Sequence, residues 1–180
     1  GLGSDDLIHL MAEAYAGEGD VVIYSRHGFS IYPIAAMTVG ATPVAAPEKN
    51  LTFDVDAVLA LVTPRTKLVF IANPNTPPAP YLPRAELARL HAGLPPSVIH
   101  VIDAAYAEFV MRDDYESGLA LATRAPNVVM TRTFSKIYAM GGLRLGWSYS
   151  SAEIADVLNR IRGPFNVNMA AQAAGVAALE

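Results

Sequence analysis

The sequence predicts an α/β fold, a mostly parallel sheet sandwiched between two layers of helices, and three observations predict it. Short apolar, β-branched runs alternate with helical segments along the whole chain. Those runs carry little polar alternation, as expected of strands covered on both faces. Polar residues fall just beyond several of the runs, where the loops of a parallel sheet gather ligands.

Each element has its own signal. Ser4 followed by Asp5 and Asp6 offers an N-cap and an acidic first turn, and Leu7, Leu10, Met11, Ala14 and Tyr15 recur at helical spacing. This predicts a helix over 4–15. Gly17 and Gly19 end it, and Val21, Val22, Ile23 and Tyr24 form a buried strand. Residues 31–39 predict a helix broken near its start by Pro33, 42–46 a strand, 55–62 a helix and 67–72 a strong strand. Five prolines (Pro74, Pro77, Pro78, Pro80, Pro83) then exclude both helix and central strand from 73–83. Beyond them the pattern gives a helix at 84–91, a strand at 98–103, a helix at 115–123 and strands at 128–131 and 145–148. Helices at 152–161 and 169–179 complete it.

With 180 residues, 52% of them hydrophobic, the chain can bury the core of one domain, which excludes a disordered tail. A net charge of -4, from 17 acidic and 13 basic residues, gives no electrostatic footprint for nucleic acid. No apolar run is long enough to cross a bilayer and no secretory signal opens the chain, so no membrane association is expected and the cytoplasm is the expected compartment. There is no cysteine, and His9, His27, His91 and His100 lack metal-site spacing. A GxSxG elbow is missing as well. The chain opens without Met and stops inside an alanine-rich run, so it is expected to be a piece of a longer protein.

The candidate chemistry lies beyond the strand ends. Asn73, Asp103 and the pair Ser135-Lys136 each follow a strand, which puts an amide, a carboxylate and an amine on one rim. Lys136 has apolar neighbours in Phe134, Ile137, Tyr138 and Met140, and a desolvated amine there could attack a carbonyl and carry protons. Asp103 closes a very apolar strand and needs a cationic or hydrogen-bonding partner. On that segment alone it reads equally as a helix N-cap. Tyr106, three residues on, could offer a phenol to the same ligand. Arg144 stands among Gly141, Gly142 and Gly146, with guanidinium geometry that suits phosphate. Gly3-Ser4-Asp5 opens a helix whose first N–H groups form an anion seat, and Phe29 offers a ring for stacking. A Schiff-base lysine with a phosphate-binding arginine points to pyridoxal phosphate.

In this order the motifs resemble the class I and II aminotransferases of pyridoxal-phosphate fold type I, most of all their histidinol-phosphate branch. The resemblance runs from Gly3-Ser4-Asp5-Asp6 through Asn73-Pro74-Asn75, Asp103-Ala104-Ala105-Tyr106, Ser135-Lys136 and Arg144 to Pro164-Phe165-Asn166-Val167-Asn168. It implies that Lys136 carries the cofactor as a Schiff base and moves the proton between the substrate's α-carbon and the cofactor. Asp103 would pair with the pyridine nitrogen, Tyr106 with the ring oxygen, and Phe29 would stack on the ring, while Ser4, Asp5, Ser135 and Arg144 surround the phosphate. The implied reaction interconverts histidinol phosphate and imidazole-acetol phosphate, with glutamate and 2-oxoglutarate as the other pair, in a homodimer. Its partners are then a small-molecule amino donor and a 2-oxo acid.

The family's Asn-Pro-Asn-Asn-Pro-Thr-Gly reads Asn73-Pro74-Asn75-Thr76-Pro77-Pro78-Ala79 here, so the second of the adjacent pair of asparagines, which contacts the ring oxygen, falls on Thr76. Either Asn75 reaches in from the adjacent position or the contact weakens. The family's N-terminal arm and small domain are absent, so 1–180 reads as a large, cofactor-binding domain truncated at both ends, weak or inactive by itself. Aromatic amino-acid transamination, decarboxylation of a phosphorylated amino acid, or a non-catalytic fragment are the other readings.

Overall fold

The computed structural model describes residues 1–75 and 80–180. Its strands are β1 (Val21–Ser25), β2 (Thr42–Ala46), β3 (Glu48–Lys49), β4 (Thr52–Phe53), β5 (Thr66–Ala72), β6 (Ile99–Asp103), β7 (Val128–Thr133) and β8 (Gly146–Tyr149). The helices are α1 (Ser4–Tyr15), α2 (Ile31–Thr38), α3 (Val55–Ala60), α4 (Arg84–Gly93), α5 (Leu119–Arg124), α6 (Ala152–Ile161) and α7 (Met169–Ala177). Six strands form one sheet in the order β2-β1-β5-β6-β7-β8, parallel throughout except where β8 runs antiparallel to β7. The predicted helix-sheet-helix sandwich is the observed one.

Side-chain alternation along the strands builds two cores. Ile23, Val69, Ile71, Ile102, Val128 and Met130 face α3, α4 and α5, packing on Val55, Val58, Leu87, Leu90 and Ala122. Val22, Leu68, Phe70, Val101 and Val129 face the other way, onto Leu7, Ile8 and Met11 of α1, Tyr32 and Ala36 of α2, and Ile154 and Leu158 of α6. Each buried Leu or Ile contributes about 1.5–3 kcal/mol, so a register slip in any central strand would forfeit both layers at once. Among the described residues no helix is long and apolar enough to cross a membrane.

Several local expectations change. Pro33 does not break α2, which starts at Ile31; a proline in the first turn has no intrahelical bond to lose. The N-cap of α1 is Gly3, with φ 104°, and Ser4 is the first helical residue; no side chain caps this end. The helix expected over 115–123 begins only at Leu119. Gly118 before it has φ 97°, and a Cβ there would lie 2.7 Å from Ile102 Cδ1. Tyr115 instead donates its hydroxyl to the Asn73 carbonyl at 2.8 Å, and Glu116 Oε1 accepts from the Gly118 and Ala120 amides, both at 2.9 Å. The β3-β4 hairpin was not expected: Asn50 and Leu51 both adopt left-handed φ (53° and 58°), and leucine is no signal for such a turn.

One polar residue sits inside the first core. His100 of β6 is fully buried, neither ring nitrogen has a hydrogen-bond partner among the described residues, and the His91 ring lies nearly parallel at 6.1 Å. Burial, with His91 beside it, pushes the His100 pKa down to about 3. The unfolded chain binds this proton below about pH 6.5, the folded one only near pH 3. The stability tied to a neutral His100 is therefore complete above pH 6.5 and is lost as the pH falls toward 3. His100→Leu should narrow the difference in unfolding free energy between pH 7.5 and pH 5 by about 2 kcal/mol. Urea unfolding of both proteins at the two pH values checks this, and identical pH dependence would refute it.

Candidate active site

Strands β5, β6 and β7 end together, and a cavity of about 390 Å³ opens beyond their carboxyl ends. Ala72, Asp103 and Thr133, the last residues of those three strands, all line it. This is where a parallel sheet gathers its loops and helix starts.

Asp103 forms the deepest polar wall. Only 4% exposed, it accepts the Tyr32 hydroxyl on Oδ2 at 3.0 Å, and on Oδ1 the Ala105 amide at 3.2 Å and the Thr131 hydroxyl at 3.3 Å. Burial raises its pKa above the ordinary carboxylate value, while the bonds from Tyr32, Ala105 and Thr131 and the charge of Lys136 pull against that rise. The reading of Asp103 as a simple N-cap is not what is found, because the side chain bonds across three elements.

Lys136 lies in the turn after β7, its Nζ 4.9 Å from the centre of the Tyr106 ring. It is exposed, so the desolvation expected from its neighbours does not occur: Phe134 and Tyr138 stack on each other at 4.8 Å, and Ile137 is itself exposed. Phe29 meets the Tyr32 ring edge-on at 6.0 Å on another wall. Asn75 is mostly buried and donates to the His27 carbonyl at 3.2 Å. Thr76 lies outside the described residues.

The other end of the cavity belongs to α1 and the glycine-rich turn. Arg144, with a left-handed backbone at φ 60°, donates from Nη1 to the Gly141 carbonyl at 2.8 Å and to Ser135 Oγ at 3.4 Å, and its Nη2 pairs with Asp5. Thr133 Oγ1 donates to Ser135 Oγ at 2.9 Å. Ser4 is buried at the start of α1, whose first-turn N–H groups have no side-chain cap.

The structure thus brings Ser4, Asp5, Phe29, Asn75, Asp103, Tyr106, Ser135, Lys136 and Arg144 to one cavity. Asn73, expected on the same rim, is absent from its lining. It is fully buried and accepts the Leu82 amide at 2.8 Å while donating to the Leu82 and Glu116 carbonyls at 3.3 Å, which staples the proline-rich loop. Tyr32, Thr131 and Thr133 were not expected. The need of Asp103 for a donor was legible, but Tyr32 lies 71 residues away. Among the described residues no cluster of three or more metal-ligating side chains occurs.

Close backbone approach holds the arginine end together. A Cβ on Gly146 would stand 2.8 Å from the Ser4 amide nitrogen and 2.9 Å from the Arg132 carbonyl oxygen, both main-chain atoms with little room to move. Gly146→Ala should therefore lower stability by about 1–3 kcal/mol. Thermal unfolding measures this, and an unchanged melting temperature would show that β8 is not wedged against α1.

Comparison with known proteins agrees with this architecture. The family model for aminotransferase class I and II matches residues 1–180. The histidinol-phosphate aminotransferase of Rhodospirillum centenum is 65% identical over 178 residues, covering 99% of this chain and 49% of the relative. That of Paramagnetospirillum magneticum is 59% identical with the same coverage, so the chain spans about half the length of the curated relatives it matches. The solved histidinol-phosphate aminotransferase from Sinorhizobium meliloti, in complex with pyridoxal-5'-phosphate, superposes with a TM-score of 0.93 at 29% identity, over 99% of this chain and 49% of that one. Matched from its first residue to its last, the chain belongs to the class I and II aminotransferases.

Proposed function

We propose that the cavity binds pyridoxal phosphate and that the chain is the large, cofactor-binding domain of an enzyme moving the amino group of histidinol phosphate to 2-oxoglutarate, giving imidazole-acetol phosphate and glutamate. One observation carries the cofactor assignment: a single cavity is lined by an amine, a buried carboxylate and an arginine beside an uncapped helix start. Those groups match, in turn, the carbonyl, the protonated ring nitrogen and the phosphate of that cofactor, so the donor set fits.

When bound, pyridoxal phosphate supplies a conjugated ring into which electrons from the substrate's α-carbon can delocalise. The protein's share is positioning and proton handling. Lys136 Nζ would be the amine that meets the cofactor's carbonyl, with water as the leaving group, and would hold the proton exchanged with the substrate's α-carbon. The Asp103 carboxylate would keep a proton on the ring nitrogen, Tyr106 would serve the ring oxygen, with Asn75 either reaching in at the position next to Thr76 or leaving that contact weaker, and Phe29 would cover a ring face. Ser4, Ser135, Arg144 and the first-turn N–H groups of α1 hold the phosphate. Asp5 takes part through its main-chain N–H, since its carboxylate is engaged with Arg144 and would repel an anion.

The substrate assignment is supported by the relatives at 65% and 59% identity, both histidinol-phosphate aminotransferases, and it favours this reading over aromatic transamination or decarboxylation. A cytoplasmic homodimer completes the reading, as the family resemblance implies. The purified protein should develop a visible absorbance band with pyridoxal phosphate that Lys136→Ala lacks, and in the complete enzyme that carries this domain the same substitution should lower transamination ~10²–10⁴-fold or further. An identical spectrum in both proteins would sink the cofactor assignment. In that complete enzyme histidinol phosphate should also outpace phenylalanine as amino donor; a clear preference for phenylalanine would remove the substrate assignment alone.

A further inference from the structure

We propose that Tyr32 is a positioning residue that sets two walls of the cofactor cavity at once, its hydroxyl holding Asp103 aimed and ionised and its ring supporting Phe29. The inference rests on the pyridoxal-phosphate reading above and deepens it.

Tyr32 comes from α2 and is fully buried. Its ring lies parallel to the Phe70 ring, 5.2 Å away with 2° between the planes, so β5 clamps it from one side. The edge contact with Phe29, at 6.0 Å and 82°, occupies another side. A ring held at both contacts directs its hydroxyl along one line, and that line ends on Asp103 Oδ2 at 3.0 Å. The Ala105 amide and the Thr131 hydroxyl take the other oxygen, leaving the carboxylate neither free to rotate nor short of donors. A hydrogen bond given to the charged form favours that form, which opposes the burial that would otherwise protonate Asp103. The phenol stays a donor throughout, because burial and the adjacent carboxylate keep its pKa well above the ordinary tyrosine value. Among the described residues the titratable groups acting on Asp103 are Tyr32 from α2 and Lys136 from the turn after β7.

A protonated Asp103 can no longer favour a protonated pyridine nitrogen, so weakening the carboxylate should weaken cofactor binding most on the acid side. The test uses carbon-13 NMR of aspartate-labelled protein without cofactor, with the Asp103 signal assigned by its loss in Asp103→Asn, together with the dissociation constant for pyridoxal phosphate at pH 6 and pH 8. Tyr32→Phe keeps the ring and removes the hydroxyl. It should raise the Asp103 midpoint by up to about one pH unit and weaken binding by up to about tenfold, more at pH 6 than at pH 8. Tyr32→Leu, which also removes the support for Phe29, should weaken binding at both pH values. An unchanged Asp103 midpoint with an unchanged ratio of dissociation constants in Tyr32→Phe overturns the proposal. Should that variant fail to fold, the Tyr32 Cζ shift of the wild type must follow the Asp103 titration, and independence of the two overturns it equally. A wild type that binds no pyridoxal phosphate overturns the cofactor reading, and the cofactor half of this inference with it, while the NMR titration still decides the Tyr32–Asp103 contact.

Discussion

A carboxylate buried at the end of an apolar strand is the constraint on which the site depends. Left unpaired, Asp103 would be costly enough to protonate or to unfold its surroundings. Three donors prevent that, one from α2, one from the neighbouring strand β7 and one from its own following loop. The sheet register makes this convergence possible, because β6 and β7 pair Asp103 with Thr131. α2 is held against the same sheet face by Tyr32, Ala35 and Ala36, so the helix that supplies the phenol also seals the core. Folding energy and site geometry are here the same set of contacts.

A second convergence, between the chain's start and its later half, shapes the opposite end of the cavity. Arg144 reaches Asp5 of α1, while Gly146 allows β8 to pass within contact of the Gly3-Ser4 backbone. The arginine is held by a carboxylate, a carbonyl and a hydroxyl before any ligand arrives, so its direction is set by protein rather than by solvent. The cavity therefore has an acidic buried wall, an end held by Arg144 and an exposed amine. This polarity suits the proposed cofactor, whose ring and phosphate make opposite electrostatic demands.

Much of this is legible in the sequence. Strands buried on both faces read as apolar runs, and the helices announced themselves by spacing, so the layered fold followed. Lys136, Asp103 and Arg144 stood out because each is a polar residue in an apolar or glycine-rich setting. What failed failed for local physical reasons. α5 starts only after Gly118, whose left-handed backbone (φ 97°) lies outside the helix and where Ile102 fills the space a side chain would need, a contact invisible in the segment itself. Asn73 stands at a strand end like the others, but its side chain bonds Leu82 of the proline-rich loop and the Glu116 carbonyl instead of facing the cavity. Lys136 looked desolvated because its sequence neighbours are apolar, yet those neighbours turn toward one another.

The sequence by itself determined the layer architecture and the strand ends at which polar groups collect, because periodicity and residue chemistry are local properties. Only the tertiary structure decided which donors answer which acceptors. Tyr32 and Asp103 are 71 residues apart, and Asp5 and Arg144 are 139 apart. Pairings at such separations depend on strand order and helix docking, and those are settled by burying both faces of one sheet at once rather than by any segment's own preference.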